Sequence, residues 1–131
     1  MNELRAAILG IPAVAEIVGT GTAARVWNGW PRTLTTPCIV MELDRAEEQN
    51  YLDTGKGEGQ IGDVVLTCRA DSDDDVNVLR EALRKGIAGF HGNFDLTIES
   101  IASSRSDKGD NSTDHWYDRV FDCTALWTEA I

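Results

Sequence analysis

Asp71, Asp73 and Asp75 have the 1-3-5 spacing with which a calcium loop opens. That chemistry also needs a glycine at the sixth position and a bidentate glutamate at the twelfth, and the chain has Val76 and Ala82 there. The acids instead precede an apolar pattern, where they serve as the negative first turn of a helix. Gly55, Lys56, Gly57, Glu58 and Gly59 have the composition of a phosphate cradle. They lack its spacing, no Ser or Thr follows the lysine, and the next segment is strand-like rather than helical. His91 and His115 could join Cys38, Cys68 and Cys123 around a metal, but the five are scattered with no short ligand spacing. No Cys or Ser shows a local signature of a paired base. The residues therefore predict no catalytic set, no metal and no cofactor.

The elements follow from periodicity. Leu4, Ile8, Ile11, Ala15 and Val18 recur at spacings of three and four and form one helical stripe, interrupted by Gly10 and Pro12 as a kink or as two short helices. Gly19 and Gly21 end it. A short strand over 25–27 precedes a Gly- and Pro-bearing loop over 28–36. From Pro37 the period becomes two, with Ile39, Met41 and Leu43 facing one way and Val40, Glu42 and Asp44 the other. Residues 46–60 are polar and Gly-rich and predict a mobile loop. The return strand sets Val64, Leu66 and Cys68 against Asp63, Val65, Thr67 and Arg69. Val76, Leu79, Leu83 and Ile87 make the buried stripe of the acid-capped helix, and Gly86, Gly89 and Gly92 mark its exit. Phe94, Leu96 and Ile98 give a strand, 103–113 a second polar loop, and 116–127 a long alternating strand. The order α-β-β-β-α-β-β, without regular βα alternation, predicts an α+β fold in which an antiparallel or mixed sheet packs against two helices.

The chain of 131 residues fits one domain, 1–131. With 22 acidic residues against 12 basic, a net charge of −10 and a pI near 4.5, it is unsuited to wrapping nucleic acid. The same charge suits a wall past which DNA slides without sticking. An odd count of three cysteines without a CxxC predicts a reducing compartment. No apolar run reaches membrane-spanning length and the first residues read as an amphipathic helix, so no membrane is expected.

Four tryptophans are too many for one small core to absorb without question. Trp116 and Trp127 fall on opposite faces of the last strand, and Trp27 and Trp30 flank a loop. One reading packs all four inside a single copy; the other completes a sheet face with a neighbour, since aromatic residues often anchor interfaces. The interface residues this predicts are Trp27, Trp30 and Trp116, with Asn50, Tyr51, Leu52, Asp53, Lys56 and Glu58 at the polar crossing.

The order and pattern resemble the tail terminator, or tail completion, proteins of long-tailed bacteriophages and prophages. The resemblance covers nearly the whole chain and is carried by Leu4-Arg5-Ala6-Ala7-Ile8-Leu9, Arg25-Val26-Trp27, Thr36-Pro37-Cys38-Ile39-Val40, the 64–70 strand, Leu79-Arg80-Glu81-Ala82-Leu83 and Tyr117-Asp118-Arg119-Val120-Phe121-Asp122. It implies a structural virion protein with no enzymatic activity, which forms a hexameric ring of identical copies. The ring would cap the tail tube, end its polymerisation and offer the surface on which the head docks. The implied partners are the chain itself, the tube protein and a head–tail connector protein, with DNA passing through the lumen unbound. The implied location is the tail or neck of the virion, after assembly in the host cytoplasm. A neck connector is the alternative within the same class. A small cytosolic enzyme or ligand-binding domain is the alternative outside it, and would need a convergent polar pocket.

Overall fold

A computed structural model describes residues 2–50, 58–89, 94–108 and 114–129, and the side chains among them except at 2–3, 44–50, 58–61, 94 and 126–129. Two short helices open the chain, α1 (Asn2–Leu9) and α2 (Pro12–Val18), where the apolar stripe alone reads as one. The split falls at Gly10 and Ile11, and Pro12 takes the first turn of α2, where its missing N–H has no bond to make. Gly19 closes α2 at φ 92, a backbone that favours glycine. A single 3-10 turn, Gly21–Ala23, leads into the strands β1 (Val26–Asn28), β2 (Cys38–Asn50) and β3 (Glu58–Ala70). The helix α3 (Asp73–Ile87) and the strands β4 (Phe94–Asp107) and β5 (His115–Glu129) complete the order. Three helices and a mixed sheet make the fold α+β; the two-helix expectation undercounts because one stripe is broken in two.

The sheet runs β1-β2-β3-β5-β4, with β1 parallel to β2 and every other pair antiparallel. All three helices pack on one face. Between helices and sheet lie Leu4, Ile8, Val14 and Val18 from the first helix pair, Val76, Leu79, Leu83 and Ile87 from α3, and Ile39, Met41, Leu66, Cys68, Phe121 and Cys123 from the strands. Ser72 caps α3 by accepting a bond from the Asp75 amide at 3.2 Å, and the three aspartates of the first turn complement the helix dipole.

Several expected boundaries move. Residues 46–50 and 58–60, assigned to a mobile crossing, are strand: β2 and β3 pair from Cys38↔Arg69 to Asn50↔Glu58 with one register shift between Leu43 and Arg45. Likewise residues 103–107 belong to β4 and pair with β5 to Asp107↔His115. Polar composition in these arms does not mean that strand is missing, because the backbone ladder holds it whatever the side chains are. Leu43 points with the core residues but is 41% exposed beside a bulge between Leu43 and Arg45. Gly86, expected at the exit of α3, lies inside it. A Cβ there would stand 2.3 Å from Cδ1 and 2.6 Å from both Cγ atoms of Ile11, so glycine is what lets the start of α2 seat against α3. No described helix is long and apolar enough to cross a membrane.

Candidate functional site

Because the described helices cover only one face, the other face of the sheet carries what the strands present away from them. Alternation assigns the columns: Cys38, Val40 and Glu42 on β2; Asp63, Val65, Thr67 and Arg69 on β3; Trp116, Asp118, Val120 and Asp122 on β5. Trp27 stands opposite Val40 and joins them from β1.

At the centre is an ion pair. Arg69 Nε donates to Asp118 Oδ1 at 2.7 Å and its terminal nitrogen to Oδ2 at 2.8 Å, a bidentate fork between directly opposed residues of β3 and β5. The two side chains are only 11% and 6% exposed. What covers them is aromatic: the Arg69 guanidinium carbon lies 4.6 Å from the centre of the Trp30 ring and 4.5 Å from that of Trp116. Trp30 Nε1 also donates to Glu42 Oε1 at 3.0 Å, so this indole bridges β2 and β3 above the Val40–Thr67 pair. That position accounts for the burial of Val40 and Thr67 on a face that none of the described helices covers. Trp30 itself stays 46% exposed, and Trp27 and Trp116 are half-buried.

Along the same face toward β4 the character turns acidic. Asp63, Glu99 and Asp122 surround a shallow depression of about 270 Å³. Ser100 Oγ donates to Asp122 and Thr124 Oγ1 to Glu99, at 3.3 and 3.1 Å. Among the described residues no group of three or more His, Cys, Asp or Glu side chains is placed to hold a metal ion. The acids singled out for calcium are engaged elsewhere. Asp71 accepts from Thr36 Oγ1 at 2.9 Å and Lys108 Nζ at 2.8 Å, bonds that hold its carboxyl below the ordinary range. Asp73 accepts from Arg119 at 2.7 Å. The thiols are buried on separate strands; burial pushes Cys38 and Cys123 up to about 12 and Cys68 upward as well, so none is a nucleophile at neutral pH. His115 Nδ1 lies 2.6 Å from Asp107 Oδ1 at the end of the β4–β5 pair.

Of the residues expected at an interface, the structure brings Trp30 and Trp116 together over Arg69 and sets Trp27 on the same face. Asn50 and Glu58 end β2 and β3 opposite each other. Tyr51, Leu52, Asp53 and Lys56, like His91, lie outside the described residues. Sequence reasoning missed Arg69, Asp118 and Glu42. The signal available was an arginine and an aspartate each inside a strand of otherwise apolar alternation, but their partnership needs the β3–β5 register.

Neither a family model nor a curated protein matches this chain. A solved structure does. A chain of "Virion of native gene transfer agent (GTA) particle" aligns with a TM-score of 0.59 at 17% identity, over 96% of this chain and 95% of that one. The two share a fold. The alignment leaves almost nothing of either chain over, so the shared unit is the whole helix-covered sheet rather than a common hairpin.

Proposed function

We propose that this chain is a structural component of a phage-like virion, a ring-forming tail terminator that caps the tail tube, ends its growth and presents the docking surface for the head. The observation that carries the reading is the near end-to-end agreement of fold with a chain of a gene transfer agent virion. Its support from the residues is a face of the sheet that no described helix covers, on which indoles roof an ion pair beside an acidic depression. Such a surface is built to pack against protein and to keep polyanions off.

In this reading Trp27, Trp30 and Trp116 contact a neighbouring subunit or connector. The segment from Asn50 to Gly59, with Tyr51, Leu52, Asp53, Lys56 and Glu58, meets the tube or the head connector. Six acidic copies around a lumen let DNA pass without binding. The chain works in the tail or neck and assembles in the host cytoplasm, beside a tube protein and a head–tail connector.

The test is to polymerise the cognate tube protein with and without this chain and to measure tube length and end structure by negative-stain microscopy. A terminator shortens the tubes and leaves a ring at one end, and a variant lacking residues 51–57 keeps its fold and loses capping. Tubes of unchanged length with bare ends refute the reading. A ring that binds head portals and ignores tubes assigns the chain to the neck instead.

A further inference from the structure

The sheet ends in two unsatisfied edges. On one side β4, fourteen residues long, pairs among the described residues with β5 alone. On the other, β1 covers β2 only at Ile39, Val40 and Met41, and among the described residues the backbone of 42–50 has no strand partner besides β3. A long edge strand is a template for another chain, and single-copy proteins blunt such edges with lysines, prolines or very short strands. In β4 there is neither lysine nor proline; the charges of Asp95, Glu99, Arg105 and Asp107 and one bulge, between Ile98 and Ser100, are its defences.

We propose that copies of this chain join edge to edge, β4 of one pairing antiparallel with residues 42–50 of the next, so that the sheets merge into one closed band. Strand direction favours it. The order β2, β3, β5, β4 alternates strictly, so β4 runs opposite to β2. A neighbour turned the same way up, helices on the same side, offers β2 to β4 in antiparallel sense. A two-fold pairing of β4 with β4 would satisfy one edge and leave 42–50 open in both copies. Head-to-tail pairing satisfies both edges of every copy, and a heterologous contact that closes forms a ring. This places a contact within the ring-forming reading and rests on it. Both edges are net acidic, Glu42, Asp44, Glu47 and Glu48 against one arginine and Asp95, Glu99 and Asp107 against another. Association therefore strengthens as added salt screens the repulsion.

Single prolines test the contact. Thr97→Pro and Ile98→Pro on β4, and Ala46→Pro and Glu47→Pro on β2, form adjacent pairs; in each pair one amide points along its existing ladder and the other to the free edge. A thermal melt identifies the free-edge member as the one that keeps its fold. Masses are then read by sedimentation with and without tube protein. The free-edge β4 variant alone and the free-edge β2 variant alone stay monomeric. Mixed, they form a one-to-one dimer and nothing larger, because each still has one intact edge for the other. Rings that persist in a folded free-edge variant, or a mixture that stays monomeric while wild type forms rings, overturn the edge contact and leave the ring reading standing. Wild type that forms no ring even on tube ends removes the ring reading itself.

Discussion

Replacing Asp118 by alanine removes the carboxylate that pairs with a guanidinium nearly sealed from water. Arg69 loses two charge-assisted bonds, of 2.7 and 2.8 Å, and with 11% of its side chain exposed it recovers little hydration in exchange. Breaking one partner of a buried pair typically costs about 3–5 kcal/mol. The stacks on Trp30 and Trp116 survive the substitution and keep the cation in place, so they neither add to the loss nor release the charge to solvent. The low end, about 3 kcal/mol, is the expected penalty, equivalent to a fall in Tm of roughly 10 °C for a chain of this size. Equilibrium urea unfolding, followed by tryptophan fluorescence and by far-ultraviolet circular dichroism, measures it. The paired substitution Arg69→Met with Asp118→Leu exchanges the ions for apolar groups and should return to within about 1 kcal/mol of wild type. A loss below about 1 kcal/mol in Asp118→Ala, or a double variant as unstable as the single, would refute the account of this pair as a buried charge that depends on its partner.

Gly86→Ala gains helix propensity of about 1 kcal/mol but drives a methyl into three atoms of Ile11, a β-branched side chain with little freedom to turn aside. A net loss of about 1–2 kcal/mol is expected in urea titration, with recovery when Ile11→Ala is added, because the two changes share one space. The Asp71 carboxyl, held below its ordinary pKa of 3.8 by Lys108 and Thr36, contributes stability above that value and loses it as pH falls through the lower folded one. Lys108→Met should therefore be less stable than wild type at pH 6, and the gap in Tm should close as the pH is lowered below 3.8 toward full protonation; a gap that holds constant in acid would assign the effect to packing.

Alternation made much of the sheet legible. Ile39 and Met41, then Leu66 and Cys68, then Phe121 and Cys123 fall on the core face that period two assigns them, and the aspartates before Val76 set the start of α3 within a turn. What composition hid were the outer halves of the hairpins. Glu47, Glu48 and Gln49 look like loop when read for burial, yet they are held by Ile61, Gln60 and Gly59 across the ladder, and backbone pairing leaves no trace in side-chain polarity. Gly86 was misread for a related reason: glycine at a helix exit and glycine under a packed neighbour are the same letter, and only the position of Ile11 tells them apart. The uncovered face was half legible. Its tryptophans stood out as more than one core needs, while the ion pair they roof depends on residues 49 apart in sequence that share no local pattern.

The three thiols are buried on β2, β3 and β5, the strands that everything else leans on: Cys38 at the start of β2, Cys68 near the end of β3 and Cys123 in the middle of β5. At neutral pH they are protonated and out of reach, so a disulfide reagent added to the folded chain finds nothing to attack until the sheet parts. The molecule thus carries its own clock. The rates at which Cys38, Cys68 and Cys123 become modifiable report how often the sheet opens at three different places along its strands, with no label introduced, and the difference between a free copy and an assembled one gives the restraint that neighbours impose.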